Sequence, residues 1–179
     1  MLSLTEACRS GYKPIATCSP QNFELVKSMG AIEVWDYHDP DCVEKIKRFT
    51  DSKLNLIWDT ICSDSAAKLC AEVLAYGGKY GKFLSGKFLR EDAKVTTTIA
   101  YMATGEPLAK GPYQQEDTSA EFEFMKKWIA IVDPLLAAGK IKPHPQKVGH
   151  GFDGILDGMD LMRDGKLSGG KLVFNVEEK

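Results

Sequence analysis

Short apolar runs alternate with segments of helical spacing from residue 13 to residue 85, and this alternation constrains the fold more than any other feature. The runs typical of strands are residues 13–18, 31–37, 54–59, 80–84 and 95–99. Helices are predicted between the earlier strands, opening at Ser19-Pro20, Asp39-Pro40 and Ser63. Because a βαβαβ order is typical of α/β proteins, we expect a doubly wound, mostly parallel sheet at least five strands wide.

The second half of the sequence is less regular. Residues 105–115 contain Gly111 and two prolines, which predict an irregular loop of the kind that often lines a site. Thr118 and Glu121 have the spacing of a capping box, which predicts the start of a long helix. A further helix that ends at Gly165 and a strand over residues 171–176 complete the predicted elements.

Composition limits the classes of partner. The 179 residues suit one folded domain, and 23 basic against 25 acidic residues give a net charge of −2, which favours neither nucleic acid nor an anionic membrane as a partner. No run approaches the ~20 apolar residues that a membrane span needs, so we expect a cytoplasmic protein. The five cysteines are widely spaced and predicted to be reduced, and no Cys/His cluster has the spacing of a metal site.

The order of elements at the start departs from that of a dinucleotide-binding domain, which opens with a buried strand and a glycine-rich turn. Residues 2–9 predict the end of a helix, and residues 13–18 then occupy the place of the second strand. We therefore expect a Rossmann-like sheet that lacks its first strand and its glycine-rich phosphate turn. Loss of that central strand would leave two unpaired edges, to be covered by a rearranged sheet, a swapped strand or a partner chain.

Several short segments together resemble one family. They are residues 11–23 (Gly-Tyr-Lys-Pro-Ile-Ala-Thr-Cys-Ser-Pro-Gln-Asn-Phe), Asp36-Tyr37, residues 58–61 (Trp-Asp-Thr-Ile), residues 77–80 (Gly-Gly-Lys-Tyr) and residues 165–173 (Gly-Lys-Leu-Ser-Gly-Gly-Lys-Leu-Val). The chain resembles the trans-acting enoyl reductases that serve fungal highly reducing polyketide synthases, within the zinc-independent medium-chain dehydrogenase/reductase superfamily. The resemblance covers the C-terminal half of that family. It implies that residues 1–179 form a single truncated nucleotide-binding domain without the family's GroES-like catalytic domain.

The resemblance implies an activity, a cofactor and a partner. Members of the family reduce an α,β-unsaturated thioester on the acyl carrier domain of the synthase, with NADPH as hydride donor. The cofactor-binding residues that it implies are Ser19, Asn22, Tyr37, Thr60, Ile61, Ala103, Thr104, Ser168 and Lys171. In the family, the first two lie by the adenosine 2′-phosphate, the third by the adenine, the next two by a ribose and the following two by the nicotinamide.

Residue chemistry bears on the choice of nucleotide. Residues 13–18, in the place of the second strand, end without the acidic residue that binds the ribose of NAD. The N-terminus of the helix that follows would favour a bound anion such as the 2′-phosphate of NADP. Both features favour NADP over NAD. The alternative for Ser19 is that its hydroxyl only caps the following helix. Gln21 departs from the histidine that is frequent in the family, and residues 19–23 contain neither lysine nor arginine.

The sequence identifies no catalytic acid, base or nucleophile. His38, His144 and His150 each lie in a predicted turn or loop without a companion at ligand spacing. Because the phosphate turn is the main anchor for a dinucleotide, we expect weak or no NADPH binding by the isolated chain. From the sequence alone, the catalytic residues are unknown.

Two other functions stay open on the sequence alone. The cleft could hold a polyketide product and direct a cyclisation or isomerisation, as in a pericyclase, by shape and desolvation. The chain could instead be an assembly module that forms a homo-oligomer, or pairs its free sheet edges with a partner chain.

Overall fold

A computed structural model describes residues 2–84, 86–111 and 113–176. Its helices are α1 (Leu2–Arg9), α2 (Phe23–Ser28), α3 (Cys42–Phe49), α4 (Asp64–Val73), α5 (Ser119–Ala137) and α6 (Gly151–Arg163). Its strands are β1 (Ile15–Thr17), β2 (Glu33–Trp35), β3 (Leu56–Asp59), β4 (Lys79–Lys82), β5 (Lys94–Thr97), β6 (Leu108–Lys110), β7 (Tyr113–Gln115), β8 (Gln146–His150) and β9 (Lys171–Asn175). Two 3-10 segments, Pro20–Asn22 and Ala100–Thr104, precede α2 and β6.

Parallel pairing dominates the sheets. β1 pairs with β2, β4 lies between β3 and β5, and β8 pairs with β9, all in parallel, whereas β6 and β7 form an antiparallel hairpin. The predicted mostly parallel α/β fold is confirmed. The expectation of one continuous sheet is wrong for the described residues, because none of their strands pairs with both β1 and β3. The interruption falls where the sequence predicts a missing strand.

The described part of the chain opens on a helix, as predicted, and not on a strand. α1 ends where the N–H of Gly11 bonds to the carbonyl of Cys8 and the N–H of Tyr12 bonds to the carbonyl of Ala7, both at 3.0 Å. Gly11 has φ +83°, a left-handed conformation that glycine adopts without a steric penalty. The chain then runs directly into β1.

The chain divides into two compact units, one formed by Met1–His38 with Asp133–Lys179 and the other by Asp39–Val132. The first unit contains the β1–β2 and β8–β9 sheets. Its core packs Val26, Ala31 and Val34 against partly buried side chains of α1, β1 and α2. That the whole chain derives from one truncated domain stays a prediction.

The second unit contains the three-stranded β3–β4–β5 sheet. Its core is formed by Cys70 and Leu74, from α4 and its C-terminus, together with Tyr80 and Phe88. The rings of Tyr80 and Phe88 are stacked, with centroids 3.8 Å apart and planes 14° from parallel. Ser63 caps α4 as predicted, since its side chain accepts a 3.2 Å hydrogen bond from the N–H of Ala66.

The segment predicted as an irregular loop contains the β6–β7 hairpin instead. Leu108 pairs with Gln115, and Lys110 pairs with Tyr113. Gly111, which follows β6 with φ +57°, supplies a backbone conformation that suits a tight reversal. Gly111 thus lies in a turn between two short strands, rather than in a structureless loop.

The start of α5 also differs from the prediction. The hydroxyl of Thr118 donates a 3.0 Å hydrogen bond to the carbonyl of Glu106, and the carboxylate of Asp117 accepts from the N–H of Ser119 at 2.9 Å. The two side chains of the predicted capping box thus bond to other partners, since the Thr118 hydroxyl donates to Glu106 and the Glu121 carboxylate accepts from Nε2 of Gln115 at 3.4 Å. Across the described ranges, no helix combines the length and the apolar character needed to cross a bilayer.

Candidate nucleotide-binding site

Two hydroxyl groups meet at the carboxyl edge of the β1–β2 sheet. Thr17 is the register partner of Trp35, so Ser19 and Tyr37 occupy equivalent positions two residues beyond these parallel strands. The Oγ atom of Ser19 lies 3.3 Å from the phenol oxygen of Tyr37, within hydrogen-bond distance. Ligands of open parallel sheets bind at this edge. The structure thus brings together two residues that the resemblance assigned to one end of the cofactor.

The hydroxyl of Ser19 does not act as a helix cap toward any described residue. Its backbone is extended, with φ −65° and ψ 144°, and the first turn closes instead through the N–H of Asn22 and the carbonyl of Ser19 at 2.9 Å. The side chain turns to Tyr37. The alternative explanation of Ser19, as a capping residue alone, is therefore wrong.

The helix that follows is shorter than the sequence suggested. Pro20–Asn22 form a 3-10 turn, and α2 has only six residues. Because the helix macrodipole sums over aligned peptide units, a helix of this length contributes less to binding an anion than a long helix would. The edge presents the hydroxyls of Ser19 and Tyr37, and the carboxylate of Asp36 lies near the Cys18 thiol at the same edge.

A second group of polar side chains adjoins the same turn. Nδ2 of Asn22 donates to Oγ of Ser168 at 2.9 Å, and Nε2 of Gln21 donates to the same oxygen at 3.1 Å. The structure thus brings Asn22 and Ser168 together, as well as Gln21, which the sequence marked only as a departure from the family. Lys171 is exposed and begins β9, and its N–H bonds to the carbonyl of Pro145 at 2.8 Å.

Thr60 and Ile61 lie in the second unit, in the turn after β3. The carboxylate of Asp59 accepts hydrogen bonds from the N–H groups of Ile61 at 2.9 Å and Cys62 at 2.8 Å, which fixes this turn. The side chain of Ile61 is 70% exposed. Thr60 and Ile61 therefore stand on an ordered backbone at the carboxyl end of a parallel strand.

Ala103 and Thr104 close the second 3-10 segment. The hydroxyl of Thr104 donates to the carbonyl of Tyr101 at 2.9 Å and accepts from the N–H of Glu106 at 3.3 Å. This side chain therefore stabilises its own turn. Gly105 follows with φ +80°, which suits the end of such a turn.

Sequence reasoning missed a buried polar group next to Asp59. Tyr80, Lys82 and Cys62 line a small, solvent-open recess beside the start of α4. Lys82 is only 7% exposed, and its ammonium donates to the carbonyl of Gly86. Burial and the bond to Asp59 raise the pKa of Tyr80. The position of Asp59 at a strand end was the signal that could have found this group.

Metal ligation has no support in the described ranges. Among these residues, no three histidine, cysteine, aspartate or glutamate side chains are grouped so that they could hold an ion. Nδ1 of His38 lies 3.2 Å from the carboxylate of Asp36, and its ring lies against that of Tyr37 with centroids 4.2 Å apart. None of the five cysteines, all of which lie in the described ranges, forms a disulfide.

Comparison with known proteins identifies a matching family and several similar proteins. Residues 5–91 match the family described as zinc-binding dehydrogenase. Trans-enoyl reductase ACTTS2 of Alternaria alternata is 41% identical over 180 residues, covering 98% of this chain and 51% of the relative. Trans-enoyl reductase resD of Aspergillus sclerotiorum is 37% identical, with coverage of 98% and 51%. The chain thus spans about half the length of these relatives.

Solved structures show the same fold at lower identity. The CurF ER cyclopropanase from the curacin A biosynthetic pathway superposes with a TM-score of 0.74 at 17% identity, covering 98% of this chain and 50% of that one. The JamJ enoyl reductase in its apo form gives a TM-score of 0.73, with the same identity and coverage. These structures share the fold, and the curated relatives show that, over the half of their length that it spans, the chain belongs to the family of the trans-enoyl reductases.

Proposed function

We propose that this chain supplies the NADP(H)-binding part of a trans-enoyl reductase. Its substrate would be an α,β-unsaturated thioester on the acyl carrier domain of a polyketide synthase. The observation that carries this proposal is the Ser19–Tyr37 hydroxyl pair, 3.3 Å apart at the carboxyl edge of two parallel strands. The names of the curated relatives support the reaction class.

The residues at this edge fit a phosphorylated ribose better than an unphosphorylated one. β1 is followed by Cys18 and Ser19, so the acidic residue that binds the ribose of NAD does not follow this strand directly. A phosphate accepts hydrogen bonds, and the hydroxyls of Ser19 and Tyr37 can donate them. When bound, NADPH would supply the hydride that saturates the enoyl thioester.

The remaining cofactor contacts are proposed for each unit by itself. Asn22, Ser168 and Lys171 would lie near the phosphate end in the first unit. In the second unit, Thr60 and Ile61 would face a ribose, and Ala103 and Thr104 would approach the nicotinamide. We assign no catalytic acid within this chain.

A titration with paired nucleotides tests the cofactor proposal. NADPH and NADH are added to the ¹⁵N-labelled chain, and amide shifts of residues 18–23 are followed, because this readout works for millimolar dissociation constants. We expect weak binding, with a dissociation constant above the micromolar range that corresponds to about −8 kcal/mol, and a preference for NADPH. Equal affinity for the two nucleotides, or tighter binding of NADH, would overturn the proposal.

A matched pair of variants tests whether the preference for NADPH depends on the two hydroxyl groups. Ser19→Ala and Tyr37→Phe each remove one hydrogen-bonding group, and each should lower the NADPH preference about three- to tenfold, since a hydrogen bond to a charged group contributes about 1.5–3 kcal/mol when fully formed and less at an exposed site. Tyr12→Phe, at a 58% exposed tyrosine of the same unit, is the control and should change neither affinity.

The partner is proposed only at the level of chemical class. Reduction of a carrier-bound enoyl thioester requires docking to an acyl carrier domain, and the relatives' names as trans-acting reductases support such a partner. Association with a second chain is a further proposal, supported by the separate β1–β2 and β3–β4–β5 sheets. Light scattering after size exclusion would show a dimer or a mixed complex, whereas a monomer alone and with the carrier domain would overturn both.

A further inference from the structure

The Ser168 hydroxyl connects two segments that lie far apart in the chain. Its oxygen accepts one hydrogen bond from Nδ2 of Asn22 and another from Nε2 of Gln21, which are 146 and 147 residues earlier. A serine hydroxyl has two acceptor lone pairs, so both are used by this pair of amides. The oxygen of Ser168 is thus saturated as an acceptor by the protein itself.

The next residue requires a close backbone approach to the same turn. A Cβ on Gly169 would lie 2.6 Å from Oδ1 of Asn22 and 3.1 Å from Cδ2 of Leu25. Gly169 also has φ +65°, which disfavours any residue with a side chain. The backbone after α6 therefore packs directly on the 3-10 turn, and both ends of the Asn22 amide are in contact with it.

The continuation of this segment is anchored independently of the turn. The N–H of Lys171 bonds to the carbonyl of Pro145, and β9 then pairs with β8 over five residues. Phe174 of β9 packs against the backbone of α6, since a Cβ on Gly158 would come within 2.6 Å of its ring. Ser168 thus bonds to the turn through its side chain, and three residues later the chain enters a strand that is paired in a sheet.

We propose that Ser168 and Gln21 are positioning residues that hold the turn after β1 in the geometry that presents the Ser19 hydroxyl to the cofactor phosphate. This inference rests on the proposed NADP(H) function and reassigns Ser168 from cofactor contact to support of the turn. Asn22 acts in the same way, because Ser168 and Gly169 occupy its amide. Selectivity for the phosphorylated cofactor therefore depends on a segment near the far end of the sequence.

Hydrogen exchange of the cofactor-free chain tests the coupling without any nucleotide. In Ser168→Ala, the amides of Asn22 and Phe23, which bond to the carbonyls of Ser19 and Pro20, should exchange about three- to tenfold faster, the factor expected for loss of one or two hydrogen bonds. Ser168→Thr keeps a hydroxyl and should restore most of the protection. Ser10→Ala, an exposed serine after α1, is the matched control. Unchanged exchange in Ser168→Ala would overturn the proposal.

Nucleotide titration of the same variants separates positioning from a general structural role. Ser168→Ala should lower NADPH affinity and the NADPH preference about three- to tenfold while the melting temperature stays near that of wild type, and Gln21→Leu should give a smaller loss in the same direction. Faster exchange with unchanged nucleotide preference would overturn the positioning role. If wild type shows no NADPH preference, the proposed function fails, whereas the exchange result still decides whether Ser168 holds the turn.

Discussion

The phenol of Tyr80 donates a 2.7 Å hydrogen bond to Oδ2 of Asp59, and the two side chains are 1% and 5% exposed. The bond joins neighbouring strands, since Asp59 ends β3 and Tyr80 lies on β4. The other carboxylate oxygen of Asp59 accepts from the N–H groups of Ile61 and Cys62. The buried carboxylate therefore accepts hydrogen bonds from three donors, in keeping with the rule that buried polar groups are hydrogen-bonded.

Removal of the phenol hydroxyl should destabilise the second unit. Tyr80→Phe leaves the stacked ring in place but removes one donor from a buried carboxylate, so we expect the free energy of unfolding to fall by about 1.5–3 kcal/mol. Urea denaturation followed by circular dichroism measures the change. Tyr76→Phe, at an 89% exposed ring, should stay within about 0.5 kcal/mol of wild type. Equal effects of the two variants would show that the bond contributes nothing.

The same tyrosine should make stability depend on alkaline pH. Burial and the bond to Asp59 raise the pKa of Tyr80 above its ordinary value near 10. The contribution of Tyr80 to the free energy of unfolding is therefore complete below pH 10. It decreases at higher pH, where the unfolded chain loses the phenol proton and the folded chain keeps it. The stability difference between wild type and Tyr80→Phe should shrink by up to about 1.4 kcal/mol per pH unit above pH 10. A constant difference from pH 9 to 11 would contradict this.

Asp92 should make the stability of the chain depend on acidic pH. The Arg90 guanidinium, with its Nε 2.9 Å from Oδ1, and the N–H of Gly77, 2.8 Å from Oδ2, lower the pKa of Asp92 to about 2. The contribution of Asp92 to the free energy of unfolding is complete above the ordinary pKa of 3.8 and is lost as the pH falls toward 2. Asp92→Asn should thus lower the melting temperature at pH 7 but hardly at all near pH 2.

Thermal unfolding from pH 7 to 2 measures this effect. Glu91→Gln, at the exposed neighbouring position, removes a charge in the same turn and serves as the control. Its melting temperature should depend on pH in the same way as that of wild type. If Asp92→Asn lowers the melting temperature equally at pH 7 and pH 2, the ion pair is not the cause.

Gly81 should not tolerate a methyl group. It is the register partner of Trp58, and a Cβ on Gly81 would lie 2.2 Å from Cε3 of that indole. Trp58 also makes an edge contact with the ring of Phe83 at 5.1 Å, which limits its freedom to move. Gly81→Ala should cost about 1–3 kcal/mol and shift the tryptophan fluorescence.

A helical glycine provides the matched control for this substitution. A Cβ on Gly154 of α6 would make ordinary 3.5 Å contacts with Phe174, so Gly154→Ala should be neutral or stabilise by about 0.5–1 kcal/mol. If Gly81→Ala is as mild as Gly154→Ala, the close approach of Trp58 is not a constraint in solution.

Local sequence patterns predicted the elements well where the interactions are local. The strands at residues 15–17, 33–35, 56–59 and 79–82 fall inside or within one residue of predicted runs, and Ser63 caps α4 as its position indicates. The positions of Ser19 and Tyr37 after parallel strands also follow from the βαβ order. A strand or helix start is set by side chains a few residues apart, and the sequence contains these directly.

The roles of the same polar residues could not be predicted locally. Thr118 has the spacing of a capping box, yet its hydroxyl bonds to the carbonyl of Glu106. Ser19 precedes a helix, yet its hydroxyl meets Tyr37 from the next strand. A polar side chain takes the partner that tertiary packing brings within reach, and that partner is not marked by any local spacing.

The amino-acid sequence by itself determined the α/β order, the place of the sheet interruption and the kinship with enoyl reductases, because periodicity and short sequence segments record these properties. Only the tertiary structure decided that Gln21 and Asn22 share the hydroxyl of Ser168, and that Asp59 receives the phenol of Tyr80. These contacts join residues 21 to 147 positions apart, so they exist only after the strands and helices have packed and fixed which polar groups must satisfy one another.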